Sequence, residues 1–141
     1  MTTAAQPHDQ EIARRIAATS PEQLASMLLR AGQKYLGQAV QAIARKDHAG
    51  KGQALARVSE IIAELSSHLN REAPGELVHN LSRIYEWWTC ELVLASLQQQ
   101  AEPYEAISRW MGELNDSWEQ LHRIKMAHVG SMGPRMQGAS A

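Results

Sequence analysis

Two glutamate–histidine pairs, Glu76 with His79 and Glu119 with His122, have a spacing that suggests metal chemistry. In di-iron and di-manganese bundles such Glu-x-x-His pairs project inward from two helices, and each of the other two helices adds a further Glu. Both pairs fall in helical stretches, and antiparallel packing would bring them to the same end. The apolar pattern around them opposes a cage, however. Glu76 and His79 lie on the side of their helix away from Leu77, Leu81 and Ile84, and Glu119 faces away from Leu114 and Leu121. Ligands that point into water do not enclose a metal. Both pairs are therefore expected on a charged, solvated face, with no metal or other cofactor. Cys90 has no base beside it and reads as a small apolar side chain, and no glycine-rich turn is present to cradle phosphate. No catalytic residue is expected, and the chain reads as a binding protein.

The bulk properties agree. A chain of 141 residues makes one domain that buries roughly two-thirds of its unfolded surface without staples. Its 14 basic and 15 acidic residues are interspersed and leave a net charge of −1. That gives no basic stripe for a phosphate backbone, so a nucleic-acid partner is not expected. One cysteine excludes an internal disulfide, and the first ten residues have no basic stretch leading into an apolar one. Apolar runs stay well short of the roughly 20 residues that span a bilayer. A cytoplasmic protein with no membrane insertion is the expectation.

Between Pro21 and Met126 apolar residues recur at spacings of three and four, with no strand-like alternation. Ser20 can accept a backbone N–H, Pro21 suits the first helical position and Gln23 completes a capping box, so the first helix should start at Pro21. Breaks fall at residues 46–50, where Asp47 can cap the next helix, at Ala73-Pro74-Gly75, and at Ala101-Glu102-Pro103. Loops this short favour antiparallel neighbours. The expected fold class is all-α, an antiparallel up-down four-helix bundle over 19–126. A short N-terminal segment, 1–18, docks on it through Ile12 and Ile16, and residues 127–141, rich in glycine, form a disordered tail.

Each helix should turn an apolar stripe inward. The second helix has one clean row, Leu55, Val58, Ile62, Leu65 and Leu69. The first helix has a main row of Leu24, Leu28, Ala31, Tyr35, Ala39 and Ala42, flanked by Leu29, Leu36, Val40 and Ile43. The third helix differs. Besides an inner row of Leu77, Leu81, Ile84, Trp88, Leu92 and Ala95, it carries Trp87, Cys90, Leu94 and Leu97 at spacings of three, four and three. At 100° per residue this second row lies well around the helix, and something must cover it. Three covers are open: permanently the fourth helix or the docked N-terminal turn, a second copy in a homodimer, or a partner segment with Ile12 and Ile16 as an interim cover.

The order of segments resembles the flagellar secretion chaperone family (FliS). The matching stretches are S-P-E-Q-L-A-S-M-L at 20–28, A-V-Q-A-I-A-R-K-D at 39–47, I-I-A-E-L-S-S-H-L-N-R at 61–71, I-Y-E-W-W at 84–88 and N-D-S-W at 115–118. The resemblance covers roughly Thr19 to Leu121. It implies a cytosolic chaperone without enzymatic activity. Such a protein binds the C-terminal segment of flagellin, keeps it from polymerising, and passes it to components of the flagellar type III export apparatus. The chain departs from the family pattern at Leu29-Arg30-Ala31, where a Tyr, an acid and a Gly are usual, and at Cys90-Glu91, where a basic pair is usual. It also lacks the usual N-terminal Tyr. On this footing the expected partner-binding residues are Trp87, Cys90, Leu94, Leu97 and Leu29, with Ile12 and Ile16 as groove cover. An adaptor with a different partner is the alternative.

Overall fold

Ser20 starts the first helix as its neighbours dictate. Its Oγ accepts the Gln23 N–H at 3.2 Å while Gln23 Oε1 accepts the Ser20 N–H at 3.4 Å, and Pro21 occupies the first turn. Two N–H groups that a helix start leaves without partners are thus satisfied. The computed structural model describes residues 20–72 and 75–140. They form four helices: α1 (Pro21–Ala44), α2 (His48–Glu72), α3 (Glu76–Ser96) and α4 (Glu102–Ser140). α1 packs closely against both α2 and α4, and α3 closes the ring by lighter contact with the same two. This is the expected four-helix bundle.

The first turn between helices is built from two local devices. α1 ends with the Asp47 N–H donating to Ala42 O at 2.8 Å and the Lys46 N–H to Ile43 O at 3.0 Å. Lys46 takes the left-handed conformation, φ 58°, that glycine usually fills. Asp47 then caps α2 through Oδ1, which accepts the Gly50 N–H at 2.9 Å.

The core holds Leu29, Leu36, Val58, Trp88, Tyr104, Ile107 and Met111 with almost no exposure. The α2 stripe is buried as expected. On α1 the deepest row differs from the expected one. It runs Glu22, Ser26, Leu29, Gly32, Leu36 and Ala39, while Leu24, Leu28, Ala31 and Tyr35 are only half-buried. The reason lies in α4. A Cβ on Gly32 would stand 2.8 Å from Met111 Sδ, so the small and polar residues of α1 are where the two helices approach most closely. On α3, Leu77 is half exposed, and Tyr85 takes a place in the core.

α4 is the longest helix, with 39 residues against 24 in α1. At 1.5 Å per residue it spans roughly 58 Å against 36 Å, so it overshoots the bundle. Its backbone is helical to Ser140, past the point where a tail from residue 127 was expected. Continuing a helix already nucleated by packing needs no new nucleus.

Candidate functional site

α3 is held so that one apolar face looks inward and another looks out. Leu81, Tyr85, Trp88, Leu92 and Ala95 point into the core. On the outer side Trp87, Val93, Leu94 and Leu97 are 45%, 58%, 56% and 79% exposed, and Cys90 is exposed among them. α4 meets this face at Trp87, where the Trp110 ring lies against it, centroids 4.2 Å apart. Beyond that pair Val93, Leu94 and Leu97 stay open among the described residues, so α4 does not cover the row.

The C-terminal end of α3, which carries Leu94 and Leu97, is tied from two sides. Lys51 on α2 is buried and its Nζ donates to Ser96 O at 3.1 Å and Gln98 O at 3.2 Å. A cation at the negative end of a helix is well placed electrostatically as well as by hydrogen bonding. From α4 the buried Tyr104 hydroxyl donates to Ala95 O at 2.6 Å, and burial raises the pKa of that hydroxyl. The exposed leucines thus stand on an anchored helix end.

A second concavity, about 330 Å³, opens at the other end of α3, where it meets the start of α1, the end of α2 and α4. Leu24, Leu28, Leu65, Leu77, Trp118 and Leu121 are among its lining, with Glu22 and Lys125. Tyr85 borders it, and burial pushes that hydroxyl up to about 12, with the Trp118 indole N–H nearby opposing slightly.

The α1–α4 seam is polar along much of its length. Glu22 Oε1 accepts from Lys125 Nζ at 2.6 Å. Ser26 bonds Asn115 and Glu119, Arg30 pairs with Glu119, and the Gln33 amide donates to Ser108 O at 2.9 Å. His122 Nδ1 lies 3.3 Å from Ser20 Oγ. Burial alone would raise the Glu22 pKa, but hydrogen bonds from Lys125 and the backbone, with the charges of Lys125 and His122, leave it below the ordinary value.

Several expectations are corrected here. Glu119 and His122 are not on a solvated face; they belong to the α1–α4 seam, and α4 turns them inward because α1 offers Ser20, Ser26 and Arg30 there. Glu76 and His79 are exposed on α3, as expected. Leu29 has no exposure at all, since it occupies the deepest row of α1, and so it cannot belong to the outer face with Trp87, Cys90, Leu94 and Leu97. Ile12 and Ile16 lie outside the described residues.

The family model described as flagellar protein FliS matches residues 4–125. The chain belongs to this family. FliS relatives with curated descriptions are similar over most of their length. The flagellar secretion chaperone FliS of Salmonella typhimurium is 29% identical over 107 residues, 75% of this chain and 79% of the relative. The flagellar secretion chaperone FliSB of Pseudomonas aeruginosa is 29% identical over 105 residues, 74% and 83%. The FliS of Vibrio cholerae is 24% identical over 120 residues, 82% and 88%.

In this FliS chain the outer α3 face gains Val93, which the three-four-three spacing passed over although it neighbours Leu94 and Leu97. Lys51 and Glu22 were also missed. Lys51 carries no local signal, because the carbonyls it meets lie 45 and 47 residues away. Glu22 did carry one: with Ser26 and Leu29 it sets the period of the deepest row. Among the described residues no helix is long and apolar enough to cross a membrane.

Proposed function

We propose that this chain is a cytoplasmic flagellar secretion chaperone that captures the C-terminal segment of flagellin on the outer face of α3. Held there, the segment's polymerising surface is hidden until the complex reaches the flagellar type III export apparatus. The observation that carries this reading is the anchored, solvent-exposed row of Trp87, Val93, Leu94 and Leu97 in a member of the FliS family. An apolar row of this kind matches the amphipathic helix-in-groove mode of recognition. The client folds as it binds, so part of the binding energy goes into ordering it. The function is binding, with no catalytic step.

The test is the double substitution Leu94→Asp with Leu97→Asp. Both side chains are mostly exposed, so helicity by circular dichroism should be unchanged. Losing two buried leucine contacts of about 1.5 kcal/mol each should weaken capture of a flagellin C-terminal segment by about a hundredfold in calorimetry. Unchanged affinity would remove the α3 face from the reading. A second copy of the chain is the competing occupant, and sedimentation at low micromolar concentration tests it: a stable dimer that the same substitutions dissolve favours a homodimer seam.

A further inference from the structure

The charges that nearly cancel over the whole chain are divided along it. Residues 30–59 carry six basic side chains, Arg30, Lys34, Arg45, Lys46, Lys51 and Arg57, against Asp47 alone, whereas residues 60–121 carry eleven acidic side chains against three basic ones. The stretch from mid-α1 to mid-α2 is therefore a positive sector in a chain of net charge −1. Two of its six cations have partners on other elements: Lys51 meets the carbonyls at the end of α3, and Arg30 pairs with Glu119. Lys34, Arg45, Lys46 and Arg57 are exposed.

A concavity of about 870 Å³ lies in this sector, lined by α1, its C-cap Arg45 and α2. Its floor is set by Ala42 and Ala54, both buried and small. The flanking positions hold long polar side chains, Gln38, Gln41, Gln53, Arg45 and Arg57, so the seam between the two helices is a trough with polar walls. Glu60 also lines it and bonds Arg57 at 3.2 Å, with both side chains more than half exposed. Such an exposed pair contributes little, and Arg57 is released at small cost to a better placed carboxylate. Neither α3 nor α4 lines the trough, so it stays open when the outer α3 face is occupied.

We propose that this trough is a docking site for an extended, acidic segment of a second partner protein, distinct from whatever binds α3. Each peptide group presents one donor and one acceptor, and the Gln38, Gln41 and Gln53 carboxamides offer the complement of both. The Arg45 and Arg57 guanidiniums suit bidentate pairing with carboxylates along the same segment. A nucleic-acid backbone fits less well. Its phosphate oxygens accept bonds from donors, which leaves the carboxamide carbonyls unmet, and Glu60 repels them. An apolar helix of the kind that matches the α3 row has no counterpart among these polar walls. The inference stands whether or not flagellin is the client.

The experiment uses the full chain and a fluorescein-labelled peptide of alternating Asp and Thr, about eight residues and so roughly 27 Å long when extended. Fluorescence anisotropy should show saturable binding that weakens as salt rises. The same peptide with Asn for every Asp should bind at least about tenfold more weakly, since each charge-assisted pair is lost. Arg45→Gln with Arg57→Gln should weaken the Asp peptide by a similar factor. Ala56→Trp, which removes no charge but fills the trough from an exposed position lining it, should do the same; circular dichroism checks that both chains stay helical. Adding a flagellin C-terminal segment should leave the peptide bound. Equal binding of the Asp and Asn peptides, or no response to either set of substitutions, overturns the proposal. Displacement by the flagellin segment would assign the trough to the client, and tighter binding of an oligothymidine strand of equal charge would assign it to nucleic acid. A chain that self-associates in sedimentation until Arg45→Gln with Arg57→Gln is introduced would assign it to a second copy. Each of these three outcomes also overturns it.

Discussion

Glu22 shows how one side chain couples a helix start to a remote helix. It stands in the first turn of α1, where a negative charge is favourable, and its partner Lys125 is 103 residues away. Its pKa is lowered from the ordinary 4.5 because the hydrogen bonds and charges around it outweigh burial. A carboxyl with a lower pKa folded than unfolded stabilises the fold above the unfolded value, and that stabilisation fades as the pH falls through the folded value. Glu22→Gln should therefore be less stable than the parent by about 1 kcal/mol at pH 7, with the two converging as the pH falls through the lowered value of Glu22. Urea midpoints across that range measure it, and parallel curves would show that the pair with Lys125 contributes nothing. Residue-level features set by near neighbours, such as the Ser20–Gln23 box and the Asp47 cap, were readable in the chain. The burial of Glu22 was signalled only by its period with Ser26 and Leu29 and was passed over, because a carboxylate in a first turn is ordinarily solvated and α4 makes it otherwise.

Among the elements, α3 works under the least support and most depends on outside help at its end. Helix α2 was legible throughout, since its single stripe faces a single neighbourhood. Helix α1 was legible as a helix but not in its inward direction, because Gly32 and Ser26 outrank Leu24 and Leu28 only once Met111 and Asn115 come close. For α3 the second row was visible in the spacing, whereas what would cover it depended on where α4 runs. Lys51 is the element-level device that this left out. Replacing it by Met keeps the apolar stem and removes the donor to Ser96 O and Gln98 O. Lys51→Met should lower stability by about 1 kcal/mol, water taking over part of the exposed carbonyls' bonding. Hydrogen exchange should meanwhile accelerate in the last turn of α3 more than in α1. Uniform acceleration in all four helices would mean that Lys51 acts as general packing and not as an anchor of that end.

Across the whole molecule, stability should grade with how many neighbours each segment has. α1 is packed on two sides and contributes Leu29, Leu36 and Ala39 with no exposure. α3 touches α2 and α4 more lightly. The far part of α4 extends beyond the bundle, and Ile124 and Met126 are already more than half exposed before it ends. Its sequence adds further cost, because Gly130, Gly133 and Gly138 each disfavour helix by about 1 kcal/mol relative to Ala, and Pro134 cannot donate to the carbonyl of Gly130. With these terms against it, local opening there should cost almost nothing, while opening of α1 should approach the global unfolding free energy. Native-state hydrogen exchange should therefore rank the amides of α1 slowest, those of α3 faster, and those after residue 128 fastest. Ending the chain after His128 should move the melting temperature by less than about 2 °C, because Glu22, Lys125 and the seam they close are all retained. A larger fall would show that the overhanging part of α4 returns to the bundle and packs against it.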